Sequence, residues 1–294
     1  MRLALFASLL ALTAAPQAQP HIRVAASGAG PHVVLVPGLA SGPTTWTETV
    51  PALGGYTVHR VTLAGFAGAP RVEGDSTGGM LDAVRDELAS YVAALDGPAV
   101  VVGHSLGGWT AVRTAALRPA NLAGIVVVDS PTFMAALGRD ETPDLDAIRT
   151  QFEAGKATWV GMTPDQVRAN QATTLVQIVT DPSDVADLLG DNALSDPAAT
   201  YQAFVELMTT DARPDLAHVD VPSLVVLAGG GYAPFGASDS DAVRAIYEPQ
   251  YVGLDGVRVE VLPDVRHFLM RDDPEAFNAL LTAFLDEAFA APAE

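Results

Sequence analysis

The stretch AVVVGHSLGGWTAVRTAALRP, residues 99–119, joins an apolar run to a helical pattern through a serine that stands between glycines. The valines predict a strand buried on both faces, and the segment after Gly108 predicts a helix that ends at Arg118-Pro119. Between them, residues 103–107 form a G-x-S-x-G sequence in the strand–turn–helix setting of a nucleophile elbow. The alternative is a glycine-rich turn with a solvated serine. The setting favours Ser105 as a nucleophile.

The overall composition limits the class of protein. The chain has 294 residues, of which 49% are hydrophobic and 17% charged, as in a soluble globular protein with a sizeable core. A formal net charge of −19 disfavours binding to nucleic acid or to an anionic membrane surface. The absence of cysteine excludes disulfides, a thiol nucleophile and cysteine-ligated metals. We find no metal-ligand spacing, phosphate loop or dinucleotide motif, and therefore expect no metal and no cofactor.

The first twenty residues, MRLALFASLLALTAAPQAQP, have the pattern of a secretory signal: one positive residue, an apolar stretch, then small residues. We predict a signal peptide over residues 1–18, with cleavage near Ala15 or Ala18, although Pro16 makes either site imperfect. The apolar stretch is too short for a stable membrane span. The alternative is an ordinary buried N-terminal helix. The pattern favours an exported protein, periplasmic or secreted.

Strand-like and helical patterns alternate along the rest of the chain. Seven apolar runs predict strands, at residues 21–27, 32–38, 57–63, 99–105, 124–130, 223–229 and 257–263. Between them lie helical patterns, as in residues 80–97. This alternation predicts an α/β fold with a mostly parallel, doubly wound sheet. In such sheets the chemistry gathers at the carboxyl ends of the strands.

The interval after the strand that ends near Asp129 is far too long for a simple crossover to the next strand. It contains four segments that open with a capping residue or proline and continue with apolar residues at helical spacing. We predict a helical insertion that acts as a lid over the carboxyl edge of the sheet. The predicted boundaries are residues 19–133 for the first part of the core, 134–215 for the insertion and 216–294 for the second part.

Four segments together carry a resemblance to the α/β-hydrolase superfamily, which extends over essentially everything after the signal segment. They are GHSLGG at 103–108, LVPGLASGPTTW at 35–46, LAGFAG at 63–68 and RHFLMRDDPEAFNALLTAFL at 266–285. The second departs from the family pattern because Pro37 replaces the usual histidine. The resemblance implies an α/β-hydrolase fold and a serine hydrolase.

A serine hydroxyl is a poor nucleophile unless a neighbouring base, itself oriented by an acid, takes its proton. His267 follows the last predicted strand, in a loop that reaches the carboxyl edge, and we predict that it is the base. The side chain of His104 is expected to point away from the reactive face of Ser105. The remaining histidines fall on early strands or on the side away from the chemistry: His21, His32, His59 and His218.

Backbone amides are expected to stabilise the tetrahedral oxyanion. The amide of Leu106, directly after the nucleophile, is predicted to supply one hydrogen bond. The loop after the first core strand is predicted to supply the other from Leu39, although this residue could serve only as part of a turn. Pro37 lacks an amide hydrogen itself but leaves that of Leu39 intact.

The acid is the least determined member of the site. In much of the resembled family it follows the glycine that ends the strand before last, but residues 229–234 carry no carboxylate. Asp239 and Asp241 come later, before a helix, where aspartate is common as a cap. Some members place the acid after the strand that follows the elbow helix, and here that residue is Asp129. A buried charge needs a partner, which His267 would supply, but Asp129 could instead fix the loop. We favour Asp129, with Asp239, Asp241 and then Asp264 as alternatives.

These residues predict a serine hydrolase that cleaves carboxylic esters of small molecules through an acyl-enzyme on Ser105, with uncharged or apolar acyl groups favoured. Lactonase, thioesterase, aminopeptidase or acyltransferase activity is the alternative within the fold, and a catalytically idle binding protein the alternative outside catalysis. Dehalogenase chemistry is disfavoured because it uses an aspartate as the nucleophile. Phe152, Trp159 and Met162 of the insertion either line an acyl pocket or form the core of the lid.

Overall fold

The computed structural model of the chain describes residues 20–72, 74, 79–139, 141–231 and 239–290. The predicted signal peptide lies outside the described residues. So do residues 232–234, the end of the segment in which the sequence offers no acid.

One seven-stranded sheet organises the described part of the chain, in the order β1-β3-β2-β4-β5-β6-β7. The pairing of β1 with β3 is antiparallel and the other pairings are parallel. The α/β-hydrolase fold and the mostly parallel sheet are therefore confirmed. The strands are β1 (Ile22–Gly28), β2 (His32–Val36), β3 (Thr57–Leu63), β4 (Ala99–His104), β5 (Leu122–Val128), β6 (Ser223–Ala228) and β7 (Arg258–Leu262).

The inner strands owe their position to valine-rich sequences that are apolar on both sides. Every residue of β2, β4 and β6 is buried, because helices lie on both faces of the sheet. The edge strand β1 is exposed over its second half. The parallel arrangement brings the carboxyl ends of β2, β4, β5, β6 and β7 to one edge, and the site forms there.

Nine α-helices accompany the strands in the described part of the chain. They are α1 (Met80–Ala93), α2 (Leu106–Ala116), α3 (Leu145–Val160), α4 (Pro164–Ile178), α5 (Pro182–Asn192), α6 (Pro197–Thr209), α7 (Ser240–Tyr247), α8 (Leu269–Asp272) and α9 (Pro274–Ala290). Short 3-10 turns occur at Pro43–Trp46, Val50–Leu53, Met134–Ala136, Arg213–His218 and Glu248–Gln250. Helix α2 packs against β4 and β5, and thereby anchors the elbow to the centre of the sheet.

Helices α3 to α6 form the helical insertion between β5 and β6. Each begins at a side chain that accepts a hydrogen bond from the first turn, namely Asp144, Thr163, Asp181 and Asp196. Helices α3 and α6 pack together, as do α4 and α5. These four helices coincide with the four helical segments predicted within residues 134–215.

Candidate active site

Ser105 is the single residue between β4 and α2, and its backbone is strained. Its φ of 53° and ψ of −121° lie in a region that residues other than glycine rarely occupy. Two glycines make the turn possible: a Cβ on Gly103 would lie 2.0 Å from the carbonyl oxygen of Gly107, and one on Gly107 would lie 2.3 Å from that of Val36. The amide of Ser105 donates to the carbonyl of Val128 at 2.8 Å. The turn therefore places Ser105 at the wall of a cavity.

His267 and Asp129 meet at the carboxyl edge of the sheet. His267 Nδ1 donates to Asp129 Oδ2 at 2.6 Å, and Asp129 Oδ1 accepts the amide of Ala228 at 2.9 Å. The Asp129 side chain is 1% exposed, so the histidine and the amide replace water as its partners. With Nδ1 as the donor, His267 Nε2 is left as an acceptor. His267 lines the same cavity as Ser105, and the structure contains no hydrogen bond between these two side chains.

The other candidate acids occupy different positions. Asp239 accepts the amide of Ala242 and caps α7, and Asp241 lies in the first turn of that helix. Asp264 lies in the turn after β7, with a φ of 60°. The carboxylate on His267 Nδ1 is that of Asp129, which was the favoured prediction; its catalytic role stays a prediction.

The two amides predicted for the oxyanion lie on either side of the elbow. The amide of Leu106 begins α2, and that of Leu39 lies in the turn after β2. Neither donates to another group among the described residues. The turn of Leu39 packs closely on the elbow, since a Cβ on Gly38 would lie 3.1 Å from Ser105 Cβ. Both amides are therefore available for a ligand, and their catalytic role stays a prediction.

The sequence predicts that the side chain of His104 points away from the reactive face of Ser105. The structure corrects this prediction. Its buried ring lines the cavity, and its centroid lies 4.5 Å from that of His267. Its Nε2 donates to the backbone carbonyl of His267 at 2.9 Å, whereas its buried Nδ1 has no partner. Burial, and then the nearby charge of His267, hold the pKa of His104 well below its ordinary value. His267, whose carbonyl accepts this hydrogen bond, is 163 residues away in sequence, so no local sequence pattern predicts the contact.

The histidines of the early strands make their contacts elsewhere. His21 pairs with Glu87 at 2.7 Å. His32 and His59 hydrogen-bond each other at 2.9 Å, and His32 also contacts Asp96 at 2.8 Å. Burial, and then proximity to His32, lower the pKa of His59. These contacts join the first strands to the helix and loop beside them.

The cavity above Ser105 has a volume of about 320 Å³ and is roofed by the helical insertion. Its wall is mainly apolar, with side chains that include Met134, Trp159, Leu175, Ile178, Phe204 and Leu207. No lysine, arginine, aspartate or glutamate is among the described residues that line it. Such a cavity suits an uncharged molecule.

The three apolar residues that the sequence singled out in the insertion have different roles. Trp159 lines the cavity above Ser105, and Met162 lines a smaller neighbouring cavity. Phe152 packs edge-on against Phe204, with ring centroids 5.3 Å apart. The insertion therefore contributes both a cavity wall and its own core.

A buried arginine joins the insertion to the loop that carries the histidine. Arg271, four residues after His267, has a side chain only 5% exposed. It contacts Asp184 at 3.0 Å and Asp187 at 2.8 Å, both on α5. It also donates to the carbonyl of Thr44 at 3.2 Å, in the 3-10 turn Pro43–Trp46. One guanidinium thus holds three separate segments together.

The described residues contain neither a candidate metal site nor a candidate membrane span. No group of three or more histidine, aspartate or glutamate side chains is placed to hold a metal ion in residues 20–290, the gaps excepted. Within the same residues, no helix is both long and apolar enough to cross a membrane.

Comparison with known proteins places this arrangement in a family. The sequence profile of the alpha/beta hydrolase family matches residues 33–280, which is most of the chain. The chain belongs to the alpha/beta hydrolase family. The protein is therefore a member of a hydrolase family.

Two relatives of this alpha/beta hydrolase are named for different activities. A pimeloyl-[acyl-carrier protein] methyl ester esterase of Shewanella sp. (strain MR-7) is 28% identical over 213 residues, which cover 71% of this chain and 76% of that protein. An N-formylmaleamate deformylase of Pseudomonas putida is 29% identical over 265 residues, covering 88% and 90%. These two relatives are named for different substrates.

Solved structures share the fold at lower identity. A bromoperoxidase from Bacillus anthracis superposes with a TM-score of 0.73 at 20% identity, covering 90% of this chain and 95% of that one. The enol-lactonase from Burkholderia xenovorans LB400 gives a TM-score of 0.69 at 18% identity, covering 90% and 96%. At these identities the likeness establishes the alpha/beta hydrolase fold alone.

Proposed function

We propose that this protein hydrolyses carboxylic esters of small, uncharged molecules through an acyl-enzyme on Ser105. The observation that carries the proposal is the hydrogen bond from His267 Nδ1 to the buried carboxylate of Asp129, beside a strained serine on the same cavity. This pairing supports a base whose free nitrogen faces the cavity. The hydrolase relatives, among them methyl ester esterases, support the same reaction class.

The chemistry proceeds in two halves. In the first, Ser105 Oγ attacks the ester carbonyl carbon while its proton passes to His267 Nε2, and the amides of Leu39 and Leu106 donate to the oxyanion. The intermediate collapses when the alcohol leaves with the proton from His267. In the second half a water molecule gives a proton to His267 and attacks the acyl carbon, and the carboxylic acid leaves as Ser105 regains its proton. Asp129 stabilises the imidazolium in both halves.

The helical insertion would act as the lid of this enzyme, since its helices supply most of the cavity roof. The absence of charged side chains from the described wall supports an uncharged acyl group, because an unpaired charge is costly to bury. We also propose that the protein acts outside the cytoplasm, on the signal pattern of residues 1–18.

A fluorophosphonate probe with mass-spectrometric mapping tests the nucleophile. The expected result is a single phosphonylated residue, Ser105, with concurrent loss of activity on a series of para-nitrophenyl esters of increasing acyl length. The Ser105→Ala variant is the matched control and should neither react nor turn over. An unlabelled wild-type protein, or a Ser105→Ala variant with wild-type turnover, would contradict the proposal.

A further inference from the structure

Two buried polar side chains of the helical insertion line the cavity, and each has an oxygen without a protein partner. Asn192, at the end of α5, is 3% exposed, and Thr200, in α6, is 4% exposed. Asn192 Oδ1 and Thr200 Oγ1 are both buried and neither makes a hydrogen bond in the described structure. Both residues line the cavity above Ser105.

Unpaired buried groups of this kind need a physical reason, because nearly all buried polar atoms in folded proteins are hydrogen-bonded. Leucine in place of Asn192 or valine in place of Thr200 would fill the same space with no orphaned atom. Other unpaired atoms occur in this chain, for example Thr114 Oγ1 in α2, but Thr114 does not line the cavity. The position of Asn192 and Thr200 at an otherwise mostly apolar wall therefore points to a ligand as the missing partner.

The chemistry of the two groups defines that ligand. The carboxamide oxygen of Asn192 accepts a hydrogen bond, and the hydroxyl of Thr200 both donates and accepts. With no lysine or arginine on the described wall, a carboxylate would be buried there without a counter-charge. An uncharged donor, such as a carboxamide or a hydroxyl, is a complementary partner for either side chain.

We propose that Asn192 and Thr200 form a specificity site for an uncharged hydrogen-bonding group, a carboxamide or hydroxyl, on the substrate chain. This inference rests on the proposed ester hydrolysis, since it names the substrate class of that site. A site of this kind favours a substrate with a carboxamide or hydroxyl over one with a purely hydrocarbon chain. It also favours that substrate over one whose chain ends in a carboxylate.

Binding to the inactive Ser105→Ala variant tests the site independently of turnover. The probes are methyl esters of equal chain length whose acyl ends carry a carboxamide, an isopropyl group or a carboxylate, three groups of similar shape. A second set carries the same ends on the alcohol side of acetate esters. Calorimetry should give about three- to tenfold tighter binding for the carboxamide than for the isopropyl end in one of the sets. The carboxylate should bind most weakly.

Variants assign the preference to the two residues. In the Ser105→Ala background, Thr200→Val and Asn192→Leu should each reduce the carboxamide preference toward parity. Thr114→Val removes an equally buried and unpaired hydroxyl outside the cavity, and should leave the preference unchanged. Thr200→Val should also keep the wild-type melting temperature, because no protein hydrogen bond is lost.

The outcomes separate this inference from the proposed function. Equal binding of the carboxamide and isopropyl ends in both sets, strongest binding of the carboxylate, or no binding of any probe would overturn the specificity site. A carboxamide preference that disappears in Thr200→Val and Asn192→Leu supports it, even if the active enzyme hydrolyses none of the esters. A failure of the active enzyme to hydrolyse any of these esters would contradict the proposed ester hydrolysis and would leave the specificity site supported.

Discussion

His104 Nε2 donates to the backbone carbonyl of His267 at 2.9 Å, so the elbow itself holds the loop that carries the candidate base. The two rings also lie close, with centroids 4.5 Å apart. A second positive charge so near His267 would oppose formation of the imidazolium that the proposed reaction requires. The lowered pKa of His104 keeps this ring neutral while it supports its neighbour.

The lowered pKa of His104 predicts how stability depends on pH. Well above pH 6.5, the usual histidine pKa, His104 is neutral in the folded and in the unfolded state. There it does not make the stability depend on pH. As the pH falls below that value the unfolded chain takes up a proton that the folded protein resists, so stability is lost toward the folded pKa. We expect the wild type to lose up to about 1.4 kcal/mol per pH unit more than His104→Gln, whose amide can still donate to the carbonyl of His267.

Urea unfolding of both proteins between pH 7.5 and 5 measures this difference. Wild type and His104→Gln share every other titratable side chain, so the comparison removes the contributions that those groups make independently of His104. Parallel stability curves for wild type and His104→Gln would contradict the assignment of a low pKa to His104.

Turnover distinguishes the two neighbouring histidines. His267→Ala should lower kcat on a para-nitrophenyl ester by several orders of magnitude, as loss of a triad member does. His104→Ala should lower it far less, because His104 positions the loop and takes no proton from Ser105. Circular dichroism checks that both variants fold. Equal losses in the two folded variants would overturn the choice of His267 as the base.

Asp129→Asn tests the acid while conserving its shape. The asparagine oxygen can still accept the amide of Ala228, but its NH₂ group then faces His267 Nδ1, which must become an acceptor. The histidine proton moves to Nε2, where a base for Ser105 is needed, so turnover should fall by up to about ten-thousandfold.

The alternative acids supply matched controls for that substitution. Asp239→Asn and Asp241→Asn should change kcat little, since the first caps α7 and the second lies in its first turn. If either variant loses most of its kcat while Asp129→Asn stays near wild type, the acid is the residue replaced in that variant and not Asp129.

Export predicts a processed N-terminus. Expressed in a bacterium that has a signal peptidase, the protein should begin between about residues 16 and 22, as found by N-terminal sequencing or intact mass. Cleavage before Ile22 would leave β1 whole. Recovery of soluble cytoplasmic protein that still begins at Met1 would contradict export.

The sequence was informative wherever a local pattern determines structure. Apolar runs located all seven strands, and G-x-S-x-G located the turn at Ser105 because few other sequences tolerate its backbone. The pairing of Asp129 with His267 could only be ranked among alternatives, since it depends on how separate strand ends meet. His104 was misjudged for the same reason. Asn192 was missed because a helix pattern does not reveal which polar residue faces a cavity.

Arg271 links helix α5 to the loop that carries His267. The same guanidinium grips α5 and the turn at Thr44, and it belongs to the short helix that starts two residues after His267. Lifting α5 away from the cavity must either break these buried contacts or pull the histidine loop along. Arg271 therefore makes the position of α5, which lines the cavity through Asn192, and the position of the histidine loop depend on each other.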